Sequence, residues 1–308
     1  MISASFFLLG SPQFVNTKTH QIVQFKYAKL LLLLAYLALE NKVHTREALA
    51  NIFWPDCSEE DSRANLRRAL FNLHEAFAAA GLPKSLLGSD RNTVCLSREC
   101  VWIDVLEFEK NIKPDSVAII APQAALYQGA FLDGTFPLDE DLADWVQNRR
   151  TRYAQKIISL LENIITLNAV EIDSDALKQS CYQLLAIDDV NELAYSTLIR
   201  MNMSIGNKIA AIRTYEAYRK VLHVQLGIEP SSEITDLLAS VAQGSDPKGN
   251  FIFPSSPLPL KKRNRERRSV SAVLMKDNLP ELGADLISEA QMMVSALQQW
   301  VKRIELLK

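Results

Sequence analysis

Six polar side chains suited to a polyanion recur within one short stretch: Arg63, Asn65, Arg67, Arg68, Asn72 and His74. If the stretch is a helix, Leu66, Leu70, Leu73 and Phe77 form an apolar stripe at steps of four, three and four residues. Arg63, Arg67, Arg68, Asn72 and His74 then lie on the opposite face. Guanidinium groups neutralise phosphates and fork onto guanine, and a carboxamide pairs with adenine, so this set suits the major groove of duplex DNA. A polar segment, Ser89-Asp90-Arg91-Asn92-Thr93, follows soon after. At a hairpin tip, Arg91 and Asn92 would meet the sugar–phosphate backbone rather than base edges. Three arginines can equally be a plain solvated helix face. Context favours DNA: a two-helix platform comes before them, no acid lies between Arg63 and Asn72, and the polar hairpin comes after.

The elements that must position these groups are legible. Ser5–Leu9, Gln13–Asn16 and Gln21–Phe25 read as short strands separated by turn residues. Tyr27–Glu40 is apolar nearly all round, as a buried helix is. Thr45 caps a second helix that Trp54-Pro55 stops. Ser58, with Glu59, Glu60 and Asp61 in the first turn, opens the arginine-bearing helix, and Gly81 closes it. Leu86-Leu87 and Thr93–Ser97 flank the hairpin tip, and Val101–Val105 is a last strand. Strands, three helices and a hairpin, in that order, make an OmpR-type winged helix-turn-helix, whose third helix enters the major groove.

From Pro122 onward the pattern is helical, over 122–128, 139–168, 173–187, 190–205, 207–225 and 231–242. Tyr195, Leu198, Ala211 and Tyr215 fit positions of a tetratricopeptide (TPR) repeat, and Leu161, Ile164, Leu177 and Cys181 precede them by one repeat length. These positions read as core. The fold class is therefore mainly α with small β-sheets: an N-terminal winged helix-turn-helix, then an all-α TPR-like domain. The divisions are 1–112, 113–243, a linker with a basic run over 244–268, and a short segment over 269–308.

Tyr27–Gly81, with Phe53-Trp54-Pro55-Asp56 and Asn65-Leu66-Arg67-Arg68-Ala69-Leu70, resembles the Streptomyces antibiotic regulatory protein class of bacterial activators. Leu126-Tyr127-Gln128-Gly129-Ala130-Phe131-Leu132, Trp145-Val146 with Arg149-Arg150, and Ala210–Pro230 resemble the bacterial transcriptional activator domain. The resemblance implies promoter binding on double-stranded DNA at direct repeats, homo-oligomer formation there, and contact with RNA polymerase. Two places depart from the class. His74-Glu75 stands where members carry a further arginine, and Ser89–Thr93 replaces their aromatic–glycine wing signature.

Composition bounds the alternatives. The chain has 308 residues, 48% apolar and 23% charged, which excludes collagen-like, coiled-coil and wholly disordered classes. Net charge is +2 over residues 1–100, −8 over 101–250 and +4 over 251–308. An acidic middle between weakly basic ends suggests separate tasks. Cys57, Cys95, Cys100 and Cys181 form no CxxC, and His20, His44, His74 and His223 are scattered, so no metal or cofactor is expected. The longest apolar run, Leu30–Leu39, is too short to span a bilayer, and the N-terminus lacks a signal-peptide pattern, so a cytoplasmic protein without a membrane partner is expected. No phosphate-binding loop, HExxH or GxSxG occurs, so no catalysis is expected. Two other readings stay open: a TPR-like interaction scaffold without DNA binding, and a truncated fusion. For the latter, Glu266–Asp277 resembles the first strand of a class III nucleotide cyclase domain, in which Asp277 would take the place of a metal-binding aspartate.

Overall fold

The computed structural model describes residues 2–40, 42–113, 116–135, 140–168 and 175–242. The linker and basic run over 244–268, and the cyclase-like segment with Asp277, lie outside the described residues.

β1 (Ala4–Phe7) and β2 (Gln13–Asn16) pair antiparallel, with Ala4 opposite Asn16 and Phe7 opposite Gln13. The expected third strand, Gln21–Phe25, does not form. A tight turn at His20, φ 56°, leaves a single bridge between Val15 and Ile22, and the chain then turns into the first helix. The sheet is completed instead from far along the chain.

α1 (Ala28–Glu40) is leucine-rich and buried along most of its length. A two-residue strand, β3 (His44–Thr45), leads into α2 (Arg46–Phe53). Thr45 caps α2, its hydroxyl accepting from the Ala48 N–H at 3.2 Å. α3 (Glu59–Ala79) is capped by Ser58, whose hydroxyl accepts from the Asp61 N–H at 3.2 Å. Its acidic first turn complements the helix dipole. Gly81, at φ 69°, takes the left-handed conformation that ends the helix.

β4 (Leu87–Ser89) and β5 (Thr93–Leu96) form the hairpin, and β3 adds to it in the order β3-β5-β4. β6 (Val101–Ile103) then runs parallel to β1 and gives the first sheet the order β2-β1-β6. Asp104, at the start of α4 (Asp104–Glu109), ties that sheet together. One of its carboxylate oxygens accepts from the N–H groups of Leu8 and Leu9 at 2.7 and 2.9 Å. Burial raises its pKa against the pull of those N–H donors.

Among the described residues six further helices follow: α5 (Val117–Ala124), α6 (Glu140–Asn168), α7 (Asp175–Ile187), α8 (Glu192–Ser204), α9 (Lys208–Leu226) and α10 (Ser232–Ala242). α6 packs on α7, α7 on α8, α8 on α9 and α9 on α10, as successive TPR-like helices do. The repeat positions are core: Leu161, Ile164, Leu177, Cys181, Tyr195, Leu198 and Ala211 are buried and Tyr215 is half-buried. Tyr195 and Tyr218 pack with ring centroids 4.6 Å apart. Among the described residues, no helix is long and apolar enough to cross a membrane.

The segment after α5 docks back on the first strand. Leu132 N–H donates to Leu8 C=O at 2.8 Å, Gly10 N–H to Ala130 C=O at 3.0 Å, and Asp133 N–H to Gly10 C=O at 3.0 Å. Gly10, at φ 115°, lies so close to Gly129 that a Cβ on Gly129 would come within 3.2 Å of the Gly10 Cα. One apolar core therefore runs without a break from Ala4 to Leu198, across the expected division at 112/113. A second, smaller core joins Tyr195, Ile199, Ala211, Tyr218, Leu222 and Ile234.

Candidate nucleic-acid interface

α3 is anchored by its stripe, with Leu66, Leu70, Leu73 and Phe77 all buried. Its N-terminal turn is pinned by Ser62, whose hydroxyl donates to the carbonyls of Ser58 and Trp54 at 2.8 and 3.0 Å. Lys29 holds α1 against the end of α2 by donating to Phe53 C=O at 2.7 Å. The recognition face is thus carried on a fixed frame.

The candidate residues divide along this frame. Arg67 and Arg68 are exposed, and neither has an ion-pair or hydrogen-bond partner among the described residues. Arg63 is also exposed and pairs with Glu59 one turn earlier. Asn65 is half-buried and faces the Cys57 sulfur at 3.8 Å. Asn72 does not share the exposed face. It is 8% exposed, and its Oδ1 accepts from Lys26 Nζ at 3.0 Å. The reason is helical geometry: Asn72 lies about 140° around the axis from Arg67, where the segment leading into α1 covers it. His74 turns toward the hairpin, with its Nε2 3.4 Å from the Ser89 hydroxyl. Burial, and then Lys84, lowers its pKa.

The hairpin tip is built by Asp90. Its Oδ1 accepts from the N–H groups of Asn92 and Thr93 at 2.7 and 2.6 Å, and its Oδ2 from the Thr93 hydroxyl at 2.8 Å. The N–H bonds from Thr93 and Asn92 hold its carboxyl below the usual range. The aspartate is thereby occupied with the turn, while Arg91 and Asn92 stay exposed. The tip is also tied to α2, because Arg46 N–H donates to Asn92 C=O at 2.8 Å.

Between the tip, α2 and α3 lies a cleft of about 580 Å³ lined by Arg46, Arg63, Arg67, Arg91 and Asn92, with Glu47 as the acid on its lining. The N-terminus of α2 opens onto it at Thr45. Four guanidinium groups beside a helix N-terminus are an environment for an anionic oxygen. The Nε of Arg46 is buried with no hydrogen-bond partner among the described residues. Two members of this surface were not singled out from the sequence: Arg46, and Phe71, which stands 61% exposed in the middle of the outer face of α3. Each carried a signal. Arg46 follows the α2 cap directly, and Phe71 falls outside the stripe of Leu70 and Leu73. Among the described residues, no three His, Cys, Asp or Glu side chains converge as metal ligands would.

The activator-domain motif also acquires physical roles. Arg150 donates to the carbonyls of Phe131, Leu132 and Thr135 at 2.8, 2.8 and 3.2 Å and holds the docked segment. Trp145 and Arg149 reach Glu40 at the end of α1. The sequence of residues 115–242 matches the family of the bacterial transcriptional activator domain. Residues 115–242 are thus similar to that activator domain. The motif residues Leu126–Leu132, Trp145-Val146, Arg149-Arg150 and Ala210–Pro230 all fall inside this activator domain, so the resemblance read from them holds. The fold is similar to that of Mycobacterium tuberculosis EmbR, solved in complex with a low-affinity phosphopeptide. The TM-score is 0.54 at 19% identity, over 79% of this chain and 66% of that one. No curated protein matches the chain in sequence. The family match over residues 115–242 and the fold shared with EmbR agree with the resemblance to the Streptomyces antibiotic regulatory protein class.

Proposed function

We propose that the chain binds promoter DNA sequence-specifically and activates transcription by contacting RNA polymerase, without catalysis of its own. The observation that carries this reading is the pair of exposed arginines, Arg67 and Arg68, without a partner among the described residues, on a helix whose opposite face is fixed in the core. α3 occupies the major groove, with Arg63, Arg67 and Arg68 toward bases and phosphates. Arg91, Asn92 and Arg46 take the flanking backbone at the cleft. Residues 1–112 serve as the DNA-binding half and residues 113–243 as the effector half. The −8 charge over residues 101–250 suits a protein partner, since DNA repels it. Binding as a homo-oligomer on direct repeats, in the cytoplasm, completes the proposal.

The test is selection of bound duplexes from random sequence, followed by binding measured across a salt series. Enrichment of a defined sequence, with affinity falling steeply as salt rises, is the expected result. Absence of any enriched duplex, or affinity indifferent to salt, overturns the DNA reading. Transcription by purified polymerase from a promoter bearing the selected site then tests activation.

A further inference from the structure

An apolar side chain sits where the proposed groove contact is centred. Phe71 is 61% exposed, one turn after Arg67 and Arg68, which are exposed on either side of it around the helix. Ala64 and Ala78, seven residues before and after, continue the same line along the outer face. Leu66, Leu70, Leu73 and Phe77 already fill the inner face, so Phe71 is not a core residue displaced outward. Isolated exposed apolar residues are ordinary. The position of this one is not, because it lies between two cations with no partner among the described residues. Charge complementarity therefore names the occupant: a polyanion drawn in by Arg67 and Arg68 and presenting an apolar group between its phosphates. In the major groove that group is the C5 methyl of thymine, which apolar side chains contact.

We infer that Phe71 reads the C5 methyl group of a thymine and so sets a T preference within the site. The inference rests on the DNA-binding reading above. An arginine at this position would be indifferent to that methyl, and an alanine would be too short to reach it from the same backbone. Phe71 thus adds apolar readout beside Arg67 and Arg68, on an outer face that also carries the exposed Glu75 one turn later.

The experiment uses the full chain and the duplex selected for it. Each thymine is replaced in turn by uracil, which pairs identically but lacks the methyl, and binding is compared for the native protein and Phe71→Ala. At one position the native protein should lose about fourfold in affinity, the cost of leaving one methyl-sized group unburied. Phe71→Ala should be indifferent to the same replacement, and Phe71→Leu should recover part of the sensitivity. If uracil at every position affects native and Phe71→Ala proteins equally while both bind the site, the inference fails and the DNA reading stands. If Phe71→Ala instead lowers only the joint occupancy of adjacent sites, Phe71 contacts a second copy and the inference is again overturned. A native protein that selects no duplex sinks both.

Discussion

The Glu40 carboxylate at the end of α1 and the Arg149 guanidinium on α6 meet at 2.9 Å, although 109 residues separate them in the chain. The same oxygen accepts from the Trp145 indole N–H at 2.8 Å, and Arg149 lies 4.1 Å over the Trp145 ring. Tyr36 of α1 packs on that ring with centroids 5.3 Å apart. The helix that supports the proposed recognition face and the first long helix of the activator domain are thus joined by a partly buried, charged clamp.

Burial works against ionisation of Glu40, but the Trp145 bond and the Arg149 charge outweigh it and hold its pKa below the usual glutamate value. A carboxylate with a depressed folded-state pKa stabilises the fold above its unfolded value of about 4.5, and that contribution fades as pH falls through the folded value. Glu40→Ala should cost about 1–3 kcal/mol near neutral pH, because two donors lose their charged acceptor. Glu40→Gln should show a shallower loss of stability below pH ~4.5 than the native protein. Chemical denaturation across pH measures both, and equal acid sensitivity in the two proteins would remove the clamp from the account.

Arg67→Ala and Arg68→Ala should each weaken specific binding by about 1–3 kcal/mol, with the melting temperature unchanged. Neither side chain makes a contact that the fold needs, so the loss should appear only in the complex. Titration of the selected duplex, paired with a thermal melt, decides. Unchanged affinity in both variants removes α3 from the groove.

Arg91→Ala and Arg46→Ala should weaken binding to all duplexes by a similar factor and reduce the salt slope by about one unit each. The cleft between the hairpin and α2 holds backbone phosphate in this reading. A change in the preferred sequence, rather than in overall affinity, would show that the wing reads bases.

Asn72→Ala should behave in the opposite way. Its amide is buried against Lys26, so the variant should lose roughly 1–2 kcal/mol of stability and keep the native sequence preference. Site selection with the variant checks this, and a shifted preference would return Asn72 to the reading face.

Residues 1–112 alone should fold less stably than residues 1–243. The cut strips Phe131 and Leu132 from Leu8 and Leu9, Tyr153 from Phe108 and Trp145 from Tyr36. Recognition of the selected sequence should survive at low temperature, since every proposed contact lies before residue 93. Thermal melts and binding of both lengths test it, and equal melting temperatures would show that the shared core contributes little.

Much of this arrangement was legible locally. Thr45, Ser58 and Gly81 mark helix ends because each acts on backbone groups within a few residues, and each lies where its chemistry predicts. The stripe of Leu66, Leu70, Leu73 and Phe77 locates the buried face of α3 for the same reason. Non-local features were hidden. Nothing near Gln21–Phe25 reveals that β6, far along the chain, takes the remaining edge of β1. Nothing near Asn72 reveals that Lys26 covers it. The docking of Ala130–Asp133 on Leu8 and Gly10, which carries the core across 112/113, depends on backbone bonds that no side-chain pattern encodes.

The parallel pairing of Ala4–Phe6 with Val101–Ile103 has a consequence for synthesis. β1 leaves the ribosome well before β6, its parallel partner, which emerges only after the three helices and the hairpin have been made. Its far end, at Leu8 to Gly10, gains its last hydrogen bonds only when residues 130–133 arrive. Until then a β-edge beside the apolar side chains of Phe6, Leu8 and Leu9 stays open to foreign strands. β2 pairs with the opposite edge of β1 and does not cover this one, so the edge stays exposed from the emergence of β1 until β6 and then residues 130–133 have been made.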